Sequence, residues 1–131
     1  MVDFTKLGLE NLFKCYRHQA YYLLQEEVEE VICDRITANA RRDIDDEDIP
    51  AYIELHGRTR DEIEFYIEIY MDMFIKRYTR KEIIFITGIG RHSPGKNSQI
   101  RIYAKKILEY YKEINPEIEI YYNNGRFYVY Y

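Results

Sequence analysis

The chain has 131 residues, of which 47% are hydrophobic and 32% are charged, and its formal net charge is −4. This length fits one compact domain with an appendage better than two full domains. No apolar run approaches the ~20 residues of a membrane-spanning helix, so we expect a globular protein with no membrane partner.

Two further features predict a reducing compartment. The N-terminus, "MVDFTKLGLENLF", lacks the basic start and the apolar stretch of a signal peptide. Cys15 and Cys33 form neither a close metal-type pair nor a dense disulfide framework, and small core side chains are the simpler interpretation. We therefore expect a protein of the cytoplasm or the nucleus.

The first 50 residues are acidic and show a helical pattern. They hold 6 Lys and Arg against 12 Asp and Glu, whereas residues 51–131 hold 13 against 11. Apolar residues recur at spacings of three and four from Leu9 to Ile32, which predicts one long helix or a hairpin of two. The run "DIDDEDIP" reads as a linker. The predicted organisation is a helical extension over residues 1–42, an acidic linker over 43–50 and an α/β domain over 51–131.

Residues 51–131 alternate between strand and helix signals. "YIELH" alternates apolar and polar residues, and "TRDE" is a capping box that starts an amphipathic helix. "IIFIT", residues 83–87, predicts a buried strand, and a glycine-rich loop leads to a second amphipathic helix. "IEIYYNNGRFYVYY" is a hairpin joined by Asn-Gly. The order β-α-β-α-β-β predicts a small two-layer α/β sandwich with a mixed sheet.

The candidate functional residues follow the first two predicted strands. Glu54 and His56 precede Gly57, and Thr87 precedes "GIGRHSPGKNS". If these strands are parallel neighbours, their ends meet at one sheet edge, where glycines and a helix N-terminus favour phosphate. Residues 88–106 add five basic side chains and no acidic one, a local cationic patch. The predicted nucleic-acid contacts are Thr87, Gly88, Gly90, Arg91, Ser93, Lys96 and Arg101.

These motifs together resemble a known family. "IELHG", followed about thirty residues later by "FITGIGRHSPG", an amphipathic helix and a final hairpin, resembles the Smr (small MutS-related) domain of eukaryotic type over residues 51–131. The resemblance implies a fold like the C-terminal domain of bacterial initiation factor three. It also implies nucleic-acid binding and endonuclease activity, in several members on mRNA at stalled or collided ribosomes. The family's usual acidic residue is aspartate, and this chain has Glu54 instead.

A chemical role for each candidate follows. His56 would take the proton from a ribose 2′-hydroxyl, with Glu54 orienting the imidazole. His92 and Arg91 are candidates for the general acid and for stabilising charge on the phosphate. No His/Cys cluster or carboxylate cage is visible in the sequence, so we expect neither a metal nor another cofactor.

Three function classes stay open. The first is an Smr-type endoribonuclease, a hydrolase acting in mRNA quality control with RNA as its partner. The second is a non-catalytic RNA- or ribosome-binding module, which Glu54 favours, and the third is a DNA-nicking endonuclease. In each, the N-terminal helices are candidates for contact with a protein or the ribosome. Taken alone, a Glu-x-His pair in a strand is more often a surface pair than a catalytic one, and His18, in a helical pattern, is expected to be structural.

Overall fold

The structure, a computed structural model, describes residues 2–46, 50–76, 81–88 and 94–131, and only the backbone of residues 94–98. In these ranges the elements are, in chain order, α1 (Leu9–Arg17), α2 (Gln25–Asp45), β1 (Ala51–Glu54), α3 (Arg60–Lys76), β2 (Glu82–Ile86), α4 (Pro94–Ile114), β3 (Glu119–Asn123) and β4 (Arg126–Tyr130). Short 3₁₀ helices cover Phe4–Lys6 and Gln19–Leu24. None of the helices so described combines the length and apolar character that crossing a bilayer requires.

The sheet has the predicted mixed character. Its strand order is β1-β2-β4-β3, with β1 parallel to β2 and β4 antiparallel to both of its neighbours. Asn124 and Gly125 connect β3 to β4 and have φ values of 50° and 82°. Positive φ at both positions is what a two-residue hairpin turn of type I′ requires, and an Asn-Gly pair adopts it at low cost. The β-α-β-α-β-β order is therefore confirmed.

One hydrophobic core joins the helices to one face of the sheet. Ile53, Phe85 and Val129 enter it from β1, β2 and β4, and the buried face of α3 belongs to the same cluster. The predicted inward residues of the two later helices are confirmed as buried, apart from the partly buried Ile107; they are Ile63, Tyr66, Ile67, Tyr70 and Phe74 on α3, and Ile100, Ala104, Leu108 and Tyr111 on α4.

The N-terminal helices belong to the same core. Leu12, Phe13 and Ile36 are almost completely buried in one cluster with the α3 residues. The Tyr70 hydroxyl donates to Asp43 at 2.7 Å and so ties α3 to the end of α2. Burial, with this hydrogen bond, raises the pKa of Tyr70 above its ordinary value. The N-terminal part therefore packs as an integral layer against α3.

The helical hairpin differs from the periodic pattern at its connection. α1 ends at Arg17, and the next residue, His18, accepts the Ala20 amide on its ring Nδ1 at 3.1 Å and so turns the chain into the 3₁₀ segment. Leu23 is therefore 90% exposed, although its spacing predicted an inward position. At the other end, α2 continues to Asp45, beyond the start of the predicted linker at residue 43. Residues 47–49 of that linker lie outside the described residues.

We predict that truncating the core of α2 destabilises the whole chain. Ile36→Ala removes a fully buried side chain at the contact with α3, so unfolding should become easier by about 2–5 kcal/mol. Urea unfolding followed by both far-ultraviolet circular dichroism and tyrosine fluorescence checks this. Leu23→Ala, at an exposed position, is the matched control and should change little; a loss confined to part of the helical signal would contradict a shared core.

Candidate functional site

The carboxyl ends of β1 and β2 lie side by side. Glu54 pairs with Ile86, and the Leu55 amide donates to the Ile86 carbonyl at 2.8 Å, which carries the parallel pairing beyond the end of β1. Two residues further on, this register sets His56 beside Gly88. The predicted convergence of the two motifs at one sheet edge is thus observed for the residues that the structure describes.

The imidazole of His56 packs on Gly88. A Cβ added to Gly88 would lie 2.5 Å from Cδ2 of His56 and 3.3 Å from its Cγ and Nε2, so no larger residue fits there without displacing the ring. Gly88 also has a φ of 87°, a conformation that favours glycine. The Cδ2 edge therefore faces the loop and Nδ1 lies on the far side of the ring. His56 as a residue is exposed.

Glu54 acts on the backbone and not on the imidazole. Its Oε1 accepts a hydrogen bond from the His56 amide at 2.8 Å. This is the turn-stabilising bond that an aspartate forms with the amide two residues ahead, and the longer glutamate reaches it here. In the described residues this carboxylate fixes the path of the chain that carries the ring, and a direct orienting of the His56 ring by Glu54 stays a prediction.

The Thr87-Gly88 segment is held by the β3-β4 hairpin. The Gly125 carbonyl accepts from the Thr87 amide at 2.8 Å, the Gly88 amide at 3.1 Å and the Thr87 hydroxyl at 3.2 Å. Thr87 is completely buried. The side chain of Thr87 and the amide of Gly88 were predicted to meet nucleic acid, but this geometry uses both to support the loop. The Asn-Gly turn thereby fixes the floor on which His56 rests.

Arg58 and the start of α3 fasten the other side of the His56 loop. The Arg58 Nε donates to the Glu54 carbonyl at 2.6 Å, and its guanidinium lies 4.2 Å from the Tyr66 ring centroid. The Thr59 hydroxyl accepts the Glu62 amide at 3.4 Å, the first half of the predicted capping box. The Glu62 carboxylate does not complete the box, because it pairs with Arg17 at 3.1 Å and with Arg58 at 3.7 Å. α1 thus contacts the base of the site.

A basic cleft opens between the start of α3 and α4. It encloses about 450 Å³, and its lining includes Arg58, Arg60, Gln99, Tyr103 and Lys106. The Arg60 guanidinium lies over the Tyr103 ring at 4.5 Å from the centroid. Its other face is open to solvent. Because Arg58 belongs to the loop that follows His56, the cleft adjoins the His56 edge of the sheet.

The remaining predicted contacts divide between two groups. Arg101 lies on a different side of α4 from the cleft, with its guanidinium 4.3 Å from the Tyr122 ring centroid. Gly90, Arg91, His92 and Ser93 lie outside the described residues, as does the side chain of Lys96. The described part of the site therefore consists of His56, its backbone supports and the basic cleft.

Sequence reasoning missed Arg60 and Lys106 as a pair and the Gly125 carbonyl as a support. The two basic residues are 46 positions apart, and only the packing of α3 on α4 brings them to one cleft. Gly125 supports the site through its backbone carbonyl, and a backbone group cannot be recognised from the residue type in the sequence. The "GRTR" run after His56 is the one local sign of a basic surface there.

Within the described ranges, no group of three or more His, Cys, Asp or Glu side chains is arranged to hold a metal ion. Comparison of the chain with models of protein families, with curated proteins and with solved structures gave no significant match.

We predict that Gly88→Ala disturbs the site more than Gly57→Ala. Both glycines have φ above 80°, so each alanine should cost about 1–2 kcal/mol in backbone strain. Only at Gly88 does the new Cβ also meet the His56 ring; at Gly57 nothing lies within 4 Å. Urea unfolding gives the stability change, and the NMR signals of the His56 ring report its displacement. Equal losses in the two variants, with unchanged His56 signals, would contradict the packing.

Proposed function

We propose that the chain is an Smr-type endoribonuclease that cleaves RNA at His56. The observation that carries the proposal is the exposed imidazole seated on Gly88, at the meeting point of two parallel strand ends. Sheet edges of this kind bind ligands, because loops from neighbouring strands converge there. The resemblance of "IELHG" and "FITGIGRHSPG" to the Smr motifs supports the same conclusion. The likeness to the C-terminal domain of initiation factor three forms part of this proposal.

The proposed reaction needs one base and one acid. Nδ1 of His56, on the side of the ring away from Gly88, takes the proton of a ribose 2′-hydroxyl. The 2′ oxygen then attacks the adjacent phosphorus, and the bond from phosphorus to the 5′ oxygen breaks. The leaving oxygen receives a proton from a second group, for which His92 is the candidate, with Arg91 stabilising charge on the phosphate. The products are a cyclic phosphate and a 5′-hydroxyl.

The basic cleft supports RNA as the ligand. Arg60 and Lys106 give it positive charge, and neither forms an ion pair with any residue that the structure describes. Their charge is therefore available to phosphates, whose neutralisation releases counterions and dominates nucleic-acid affinity. Tyr103 adds an aromatic ring beside the guanidinium of Arg60. An RNA strand in this cleft would lie next to the loop that carries His56.

The N-terminal helices supply the proposed contact with a protein or the ribosome. They belong to the first 50 residues, whose 12 Asp and Glu outnumber 6 Lys and Arg, and this acidic excess disfavours direct contact with RNA. Tyr22 and Leu23 project at their connection with 72% and 90% exposure, an apolar tip of the kind that protein partners cover. This placement suits an enzyme docked near ribosome-bound mRNA in the cytoplasm.

The second candidate is a non-catalytic RNA-binding module. One observation favours it: the Glu54 carboxylate bonds the backbone, and no hydrogen bond joins it to the His56 ring among the described residues. An imidazole without a carboxylate partner is less firmly oriented and a weaker base. A DNA-nicking enzyme is the third candidate, and dependence on the 2′-hydroxyl separates it from the first.

We predict that the purified protein cleaves a labelled single-stranded RNA in EDTA and that His56→Ala abolishes this. Loss of a general base should slow cleavage by about 100-fold or more. His18→Ala is the matched control, because this histidine caps a turn in the N-terminal part. Its cleavage rate should equal that of the parent chain. Mass spectrometry of the fragments should show cyclic phosphate and 5′-hydroxyl ends.

Three outcomes would refute this mechanism or select another candidate. A 3′-hydroxyl product or equal cutting of matched DNA would exclude attack by the 2′-hydroxyl. Cleavage that survives in a folded His56→Ala variant would place the chemistry elsewhere. RNA binding without cleavage by either protein at any pH would identify the non-catalytic module.

We also predict that charge removal in the cleft flattens the salt dependence of RNA binding. Each of Arg60→Gln and Lys106→Gln should reduce the slope of log affinity against log salt by about 0.7 on a single strand, because one phosphate contact is lost. Lys14→Gln, on α1 and paired with Glu10 at 3.8 Å, is the control. Fluorescence anisotropy across a salt series measures the slopes, and identical slopes for all four proteins would exclude the cleft.

A further inference from the structure

The face of the sheet opposite the helical core is lined with tyrosines. Register places Tyr52, Ile84, Tyr128 and Tyr121 in one row across the four strands. Ile84 is only 3% exposed yet lies outside the main core cluster, so its neighbours on this second face cover it. Tyr52 and Tyr121 remain 49% and 55% exposed. Large aromatic side chains left half exposed on one flat surface are typical of a binding face.

One end of this face forms a shallow hollow, which we name the tyrosine hollow. It is lined by Glu119, Tyr121, Asn123, Tyr128 and Tyr130. The rings of Tyr121 and Tyr130 meet edge to face, with centroids 5.9 Å apart and planes at 67°. Two tyrosine rings at a steep angle beside a carboxylate make the half of a cage that cations occupy in aromatic recognition sites.

The charge at one end of the tyrosine hollow is negative, whereas Arg126, opposite Asn123 at the other end, lies over the Tyr52 ring at 5.7 Å from the centroid. Glu82, Tyr130 and Glu119 form one row across β2, β4 and β3. Glu82 lies directly opposite Tyr130 in the register of β2 and β4, and interaction with its carboxylate raises the pKa of Tyr130. Neither Glu82 nor Glu119 forms an ion pair with another residue in the described ranges. Two unneutralised carboxylates repel phosphate and attract a cation.

We infer that the tyrosine hollow is a receptor for a lysine or arginine side chain of a basic polypeptide partner. The cation would lie against the Tyr121 and Tyr130 rings, with Glu82 and Glu119 neutralising its charge. β3 is one of the two edge strands of the described sheet, so an extended partner segment beside it would set alternate side chains over this face. The surface does not depend on the proposed nuclease, because Glu119 and Tyr130 lie at the end of the strands away from His56 and two strands separate β3 from β1.

The test uses the full chain and a short, capped peptide of alternating arginine and glycine. The peptide should shift the NMR ring signals of Tyr121 and Tyr130, and a matched peptide of glutamine and glycine should not. Tyr121→Leu and Glu119→Gln should each weaken binding of the arginine peptide about two- to fivefold. Tyr110→Leu, at a 59% exposed tyrosine on α4, is the control and should leave the affinity unchanged.

Three results would overturn the inference. The peptide could fail to bind, or it could bind with an affinity that Tyr121→Leu and Glu119→Gln leave unchanged, which would place it on the acidic helices. Alternatively, a uridine oligonucleotide could shift the same two tyrosine rings while the peptide does not, which would identify a base-stacking surface. RNA cleavage by Tyr121→Leu should match the parent chain, so failure here is distinguishable from failure of the nuclease proposal.

Discussion

The parallel register of β1 on β2 is the constraint on which the candidate site depends. Side chains alternate between faces, so a slip of one residue would bury Glu54 and His56 and expose Ile53 and Leu55. Ala51 and Ile53 are almost completely buried, as are Ile83 and Phe85 opposite them, and this apolar match, continued by the buried Leu55, fixes the pairing. The position of the candidate base, His56, is therefore set by the packing of apolar side chains that take no part in the proposed reaction.

The backbone conformation at Gly88 and Gly125 then determines how the His56 ring sits at the position that the register gives it. Gly88 accepts a positive φ and leaves room for a ring, while the Gly125 carbonyl holds the preceding peptide in place through three hydrogen bonds. The Asn-Gly turn positions that carbonyl because both of its residues adopt positive φ. Local turn chemistry near the C-terminus thus supports a histidine about seventy residues earlier.

Patterns with a strong period were the predictable part. The alternation in "YIELH", the faces of α3 and α4 and the Asn-Gly hairpin follow from local spacing, and the structure has each of them. The spacing of apolar residues wrongly predicted that Leu23 is buried. The His18 ring accepts the Ala20 amide and turns the chain there, although the apolar periodicity continues beyond it. The sequence also could not predict the hydrogen-bond partner of Glu54. Both the backbone amide and the imidazole of His56 are possible partners of this one carboxylate, and the amide is the one observed. Residues joined only by tertiary packing, such as Arg60 and Lys106, carry no local signal.

The chain separates its charges along the sheet. The basic cleft adjoins the His56 edge, whereas the carboxylates of Glu82 and Glu119 lie at the opposite end of β2 and β3. Six residues of strand, from Glu82 to Gly88, span about 20 Å. At physiological salt the Debye length is about 8 Å, so the two surfaces hardly affect each other through solvent. The formal net charge of −4 is therefore the sum of a basic surface that suits a polyanion and an acidic surface that suits a cation. The two surfaces are far enough apart to bind their ligands at the same time.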